Sequence, residues 1–166
     1  MRVFLQRAAG IAVLVLVLDE LLKTVGRLRL APCLGTSSVP CDRLELVGPM
    51  WLVRTGNAGS ALGFGQGWWG WVVLAVVGLV LIPLYARWLR GGGWVAIVAV
   101  GLQVGGALGN LRDRLVLGGA TDVLYVGWGP TWNLADVAIG LGTLLAIGAL
   151  AKHRAATTAT SPATAG

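Results

Sequence analysis

The sequence predicts an all-α integral membrane protein of four transmembrane helices, with a small extracytoplasmic β-rich segment between helices 1 and 2. Three observations lead there. Hydrophobic residues make up 56% of the chain and charged residues only 12%, whereas soluble domains carry about 25% charge and disordered chains combine high charge with little apolar bulk. Four apolar stretches, over residues 8–26, 67–86, 94–113 and 131–151, each reach the ~20 residues a helix needs to cross the hydrocarbon core. The basic side chains stand in pairs at the ends of these stretches, Arg2 with Arg7, Arg87 with Arg90, Lys152 with Arg154, as they do around membrane spans. A nucleic-acid binder would gather them into one patch, so the net charge of +6 does not point to such a partner.

The first stretch follows Arg2 and Arg7 as a signal peptide would, but Leu18 runs straight into Asp19 and Glu20 and no small-residue cleavage site follows, so it reads as a retained anchor. The connection after it contains Pro32, Pro40 and Pro49, and over 43–54 it mixes apolar and polar residues in a way that suits short strands. Cys33 and Cys41 within it fit a disulfide if the connection faces an oxidising compartment, and otherwise two free thiols. Residues 87–93 form a tight link between the second and third stretches. The third stretch repeats Gly101, Gly105 and Gly109 along one face with Gly106 beside them, the pattern that lets helices approach closely in lipid. The connection over 114–130 is too long for a bare turn. Tryptophans near the span ends, Trp88, Trp94, Trp128 and Trp132 among them, suit interfacial anchors. Residues 1–154 thus form a single membrane-embedded domain, and the Thr/Ala-rich tail 155–166 is expected to be disordered. An even number of spans puts both termini on one side; the basic residues in the short flanks make that side the cytoplasm.

Ionisable residues inside a membrane are costly and mark function by default. Asp19 and Lys23 lie one turn apart on the first helix; Asn110 and Asp113, with Arg114 adjacent, sit near the end of the third; Asn133 and Asp136 sit near the start of the fourth. Because successive helices reverse direction, all three groups fall at one depth, towards the long connections. Asp19 with Lys23, and Asp113 with its neighbouring arginines, can be read simply as internal ion pairs. Asp122 and Asp136 have no basic neighbour in sequence, and Asp136 lies roughly 7 Å inside its span, so a functional pair is the better reading of these two. The single histidine, His153, excludes a histidine-based triad, and two cysteines offer no zinc spacing, so no metal and no cofactor is expected. Carboxylate chemistry remains.

These residues also fall into motifs. Gly105-Gly106-Ala107-Leu108-Gly109-Asn110-Leu111-Arg112-Asp113-Arg114 resembles the GGAxGNxxDR motif of signal peptidase II, the lipoprotein signal peptidases. Trp132-Asn133-Leu134-Ala135-Asp136-Val137-Ala138-Ile139 resembles the family's FNxADxxI motif. Leu18-Asp19-Glu20-Leu21-Leu22-Lys23 is similar to its first-helix DQxxK motif, and Asn57-Ala58-Gly59-Ser60-Ala61-Leu62-Gly63 to its NxGxAFG segment. The resemblance implies an aspartic endopeptidase of the bacterial cytoplasmic membrane. Such an enzyme removes the signal peptide of diacylglyceryl-modified prolipoproteins by cutting N-terminal to the lipidated cysteine. It further implies the catalytic pair Asp122 and Asp136, with Asp19, Lys23, Asn57, Gly59, Asn110, Asp113, Arg114 and Asn133 supporting the site or binding substrate. The element at Asp122 reads Ala120-Thr121-Asp122-Val123, without the family's Val and Phe, which keeps Asp113 as the alternative partner. The implied partners are lipid-modified prolipoproteins and membrane lipids, the implied state a monomer, and the active site faces the extracytoplasmic side. The residues alone also allow a small carrier or proton relay built on the same buried acids, or a structural scaffold.

Overall fold

The structure, a computed structural model, describes residues 2–33, 42–57, 68–89 and 92–159. The chain builds α1 (Arg2–Arg29), β1 (Leu44–Glu45), β2 (Trp51–Asn57), α2 (Trp68–Leu89), α3 (Gly93–Leu117), β3 (Ala120–Tyr125) and α4 (Leu134–Ala159). Two of the helices, over Gly93–Leu117 and Leu134–Lys152, are long and apolar enough to cross a bilayer. In α1 the acidic and basic residues from Asp19 onward interrupt the apolar run, although its 28 residues span ~42 Å, more than the ~30 Å of a hydrocarbon core.

Burial along α1 runs opposite to that of a soluble helix. The buried stripe is Ala8, Ala12, Val15, Asp19, Lys23 and Gly26, recurring every three or four residues, while Val13, Leu14, Val17, Leu18 and Leu21 face outward. Large apolar side chains turned to the surroundings, with small and charged residues turned inward, are what a helix in lipid requires. α3 is the central helix. Its glycines let two neighbours reach its backbone: a Cβ on Gly105 would stand 2.6 Å from Ala12 O of α1, one on Gly101 would stand 2.8 Å from Ala8 O, and one on Gly106 would strike Ala135 O of α4. At the end of the bundle near the α2–α3 link, Ala86, Leu89, Ala96, Ala99, Ala146 and Ala149 form an apolar core of mostly small side chains.

The other end carries a three-stranded antiparallel sheet in the order β1-β2-β3. The expected β-rich segment after helix 1 is present as β1 and β2. The third strand, however, comes from the connection between α3 and α4, which sequence reading left without structure. α3 stops at Gly118, whose φ of 74° gives the left-handed cap glycine adopts without strain, and whose N–H closes on Arg114 O at 3.1 Å. β3 follows at once, seated on α1 through a second small core of Leu30, Leu52 and Val123. α4 continues as helix to Ala159, into the stretch where the tail was expected to begin. Cys33 is disulfide-bonded, while its expected partner Cys41, like Gly59 of the proposed site and residues 160–166 of the tail, lies outside the described residues.

Candidate active site

The polar residues singled out from the sequence meet at the sheet-bearing end. α1 supplies Asp19 and Lys23, β2 Asn57, α3 Asn110, Asp113 and Arg114, β3 Asp122, and the start of α4 Asn133 and Asp136. Asp19, Lys23, Asp113, Asp122 and Asn133 are each no more than 2% exposed. Such burial demands partners for charges and hydrogen-bonding groups, and the structure supplies them in two layers, with Asp113 Oδ1 the exception.

The inner layer is organised by Lys23. Its Nζ lies 2.7 Å from Asp19 Oδ2 and 3.2 Å from Asp113 Oδ2, and it donates to Asn110 Oδ1 at 3.4 Å. Asp19 Oδ1 accepts the backbone N–H of Ala135, in the first turn of α4, at 2.9 Å. Asp113 Oδ2 also accepts the backbone N–H of Thr121, at 2.9 Å. The pairing of Asp19 with Lys23 matches this geometry; Asp113 pairs more closely with the same lysine than with its neighbour Arg112, at 3.6 Å, and each carboxylate also pins backbone from another element.

The outer layer holds Asp122 and Asp136, joined through Asn133. Asn133 is the N-cap of α4, with its Oδ1 accepting the N–H of Asp136 at 2.8 Å and its own N–H donating to Asp136 Oδ2 at 3.3 Å. This reciprocal pattern is a capping box. The amide Nδ2 of the same residue remains available and donates to Asp122 Oδ1 at 2.8 Å. Asn57 Nδ2 reaches the other oxygen, Asp122 Oδ2, at 3.0 Å, and Asn110 Nδ2 reaches Asp136 Oδ1 at 2.7 Å. Every donor to the Asp122 carboxyl named here is a neutral amide. Burial pushes this carboxyl up, the charge of Asp136 adds to the rise, and the hydrogen bonds from Asn57 and Asn133 oppose it, leaving a pKa of about 6.

Neither aspartate has a basic neighbour in sequence, but the fold brings one to them. Arg114, anchored by donation from Nη1 to Asn110 O at 3.1 Å, interacts electrostatically with Asp136, Asp122 and Asp113. Asp113, the alternative catalytic partner, lies in the inner layer under Lys23, whereas Asp136 borders a cavity. That cavity measures about 670 Å³ and lies between α2, α3 and α4. Asp136, Asn110 and Arg114 line it together with Leu81, Ile82, Ala107, Ile139 and Gly140. Among the described residues, no group of three or more His, Cys, Asp or Glu side chains is placed to hold a metal ion.

Sequence reading missed three contributors. Thr55 Oγ1 donates to the carbonyl of Asp122 at 3.3 Å and lies 2.7 Å from Thr131 Oγ1. Arg27 and Glu20 brace the strand before Asp122 from outside. Glu20, Lys23 and Arg27 share one face of α1 at spacings of three and four, and that periodicity was the available signal.

Comparisons with known proteins agree with this architecture. A family model described as signal peptidase (SPase) II matches residues 11–152. A lipoprotein signal peptidase of Pseudomonas aeruginosa (strain UCBPP-PA14) is 37% identical over 143 residues, covering 81% of this chain and 82% of its own. One of Pseudomonas syringae pv. tomato is 42% identical over 100 residues, covering 55% of this chain and 57% of its own. Among solved structures, a bacterial membrane enzyme determined by the in meso method superposes with a TM-score of 0.72 at 23% identity, over 96% of this chain and 94% of that one.

Proposed function

The chain belongs to the signal peptidase II family, and on that footing we propose that Asp122 and Asp136 are the acid–base pair with which it cleaves prolipoproteins. The protein is a membrane peptidase of the lipoprotein-processing class, so the carrier and scaffold readings of its buried acids fall away. The observation that carries the pair is Asn133, which caps α4 through Asp136 and holds Asp122 with the same side chain. The two carboxyls are thereby set in one frame by a residue that donates only to carboxylate oxygens.

The two environments assign different roles. Asp136 receives donors from Asn110 and a helix N-terminus and lies in the field of Arg114, all of which favour negative charge. It is the ionised partner and takes a proton from water as that water attacks the scissile carbonyl. Asp122, buried among neutral amides, is the partner that holds the proton. It donates to the carbonyl oxygen as the tetrahedral intermediate forms. The proton collected by Asp136 then goes to the leaving nitrogen as the C–N bond breaks, and a hydroxyl of the collapsing intermediate returns its proton to Asp122 as the carbonyl re-forms. The apolar cavity receives the acyl chains and the signal helix, so the scissile bond arrives at the pair from the membrane side. On this reading residues 1–154 act as one peptidase domain with four spans in the bacterial cytoplasmic membrane. Both termini are cytoplasmic, the sheet stands outside, and the enzyme works as a monomer.

The test is Asp122→Asn and Asp136→Asn, each assayed on a diacylglyceryl-modified prolipoprotein in detergent. Each is expected to lose about 10²–10⁴-fold in kcat. If both variants still cleave, the pair is wrong; if Asp113→Asn alone abolishes cleavage, the partner was misassigned.

A further inference from the structure

The strand segment that carries Asp122 is anchored unevenly. β3 is an edge strand, paired on one side with β2. From Val123 onward its other side is bridged by Trp132, whose carbonyl accepts from Val123 N at 2.8 Å and Leu124 N at 2.7 Å. Before Val123 that bridge stops and side chains take over. Thr121 N–H donates to Asp113 Oδ2 at 2.9 Å, and Thr121 Oγ1 accepts from Arg27 Nη1 at 3.3 Å. Arg27 is itself held: its Nη2 donates to Glu20 Oε1 and, at 3.1 Å, to Thr24 Oγ1. The second oxygen of Glu20 accepts from Arg112 Nη1 at 2.7 Å, tying the group to α3. Asp113 Oδ1, buried and without a hydrogen bond, stands 3.6 Å from both Arg27 and Arg112.

Side chains alternate across a strand, so Thr121 and its register partner Gly56 lie behind the sheet while Asp122 and its partner Thr55 face the other way. Behind the sheet, Arg27 and Thr121 line a cavity of about 420 Å³. Arg27 reaches Thr121 by a hydrogen bond at the edge of this cavity, whereas Val123, two residues on along the same face, is packed against Gly26 of α1.

We propose that Arg27 is a positioning residue for the hydrolysis: by holding Thr121 from behind the strand, while Glu20 holds Arg27, it sets the direction in which the adjacent Asp122 carboxyl faces Asp136. This rests on Asp122 being one of the reacting pair. Releasing the Thr121 hydroxyl lets the strand rotate about its axis, which swings the next side chain the opposite way. A misplacement of ~1 Å at a reacting group can cost on the order of 100-fold in rate. Arg27, Glu20 and Arg112 are 21%, 28% and 47% exposed, and ion pairs so exposed add little to stability, so the effect is one of geometry.

The experiment compares Arg27→Met, Arg27→Lys, Thr121→Val and the Arg27→Met/Thr121→Val double variant on a diacylglyceryl-modified prolipoprotein in detergent. It reads kcat, KM, the pH profile of kcat/KM and the thermal midpoint. Arg27→Met and Thr121→Val should each lower kcat about tenfold with KM within about twofold. The double variant should be no worse than Arg27→Met alone, because Thr121→Val removes a contact that Arg27→Met has already removed. Arg27→Lys, which keeps the charge and one donor, should recover most of the rate. Asp122 drawn away from Asn57 and Asn133 loses the donors that favour its charged form, with Asp136, Arg114 and Lys23 as the surrounding charges. Turned from Asp136 it also loses the charge that opposes ionisation, so the basic limb of the profile should move from its parental position, which partial unfolding would not do. A kcat within twofold of the parent, a loss carried by KM alone, or a loss that tracks the thermal midpoint with the limb unmoved overturns the proposal. An Asp122→Asn enzyme that still cleaves overturns the pair and this inference with it. A dead Asp122→Asn enzyme beside a fully active Arg27→Met enzyme overturns the inference alone.

Discussion

At the scale of single residues, the asymmetry between the two aspartates makes the pH dependence readable. Asp122 holds its proton up to about pH 6 and loses it above. With Asp122 as the acid, kcat/KM, which reports the free enzyme, is expected to fall about tenfold per pH unit beyond that point. Asn57→Ala removes a hydrogen bond that favours the charged carboxylate, so the falling limb should shift to higher pH, and a limb that stays in place or moves lower contradicts the assignment. The same carboxyl affects stability. A carboxyl whose pKa is raised from 3.8 to about 6 in the folded protein makes the fold lose stability as pH climbs between those values. At ~1.4 kcal/mol per tenfold in proton affinity, the ionised form costs about 3 kcal/mol above pH 6. Asp122→Asn should therefore melt higher than the parent at pH 8. That advantage should vanish near pH 4, where both proteins carry a neutral group.

At the scale of elements, the capping box and the glycine face decide whether the site exists. Asn133→Ala removes the N-cap of α4, worth ~1 kcal/mol, and also the amide that holds Asp122. It should cost far more in kcat than that loss of stability accounts for, as thermal melts and turnover on the same preparation will show. Gly106→Ala would drive a methyl group into the Ala135 carbonyl, within the turn that bears Asp136. Activity should fall with it, whereas Gly148→Ala, with open space around its Cβ and away from the cavity, should leave cleavage unchanged. These elements were unequally visible in the sequence. The helices announced themselves through long apolar runs, and the three polar pairs through spacings of three and four. β3 did not, because six residues with an aspartate in the middle lack the alternation that marks a strand. Its strand character comes instead from β2, with which it pairs from more than sixty residues away in sequence. Arg114 was visible as a residue but not as the cation serving Asp122 and Asp136, since only the close approach of α3 and α4 at Gly106 brings those charges together.

At the scale of the whole molecule, the fold divides the labour between a mostly apolar chamber and a polar rim. The 670 Å³ cavity meets the polar layer at Asp136, Asn110 and Arg114, carries Gln103 and Trp132, and otherwise runs among Ala, Leu, Ile and Gly residues. A Cβ at Gly140 or Gly78 meets nothing within 4 Å, so Gly140→Leu or Gly78→Leu starts from open space beside the cavity, and replacing glycine within a helix adds up to ~1 kcal/mol of helix propensity. Both variants should keep their thermal midpoint yet raise KM for a substrate with long acyl chains more than for one with short chains. An unchanged KM for both substrates would mean that the acyl chains lie elsewhere. The hydrogen bond from Ala135 to Asp19 joins the opening turn of the last helix to the middle of the first, across 116 positions of sequence. During synthesis the first helix enters the membrane long before the last exists, and until α4 arrives Asp19 lacks this donor while Asp122 lacks both Asn133 and Asp136. With Asp122 and Asp136 as the reacting pair, the peptidase is complete only once its final helix docks, and a growing chain without α4 has no means of cleavage.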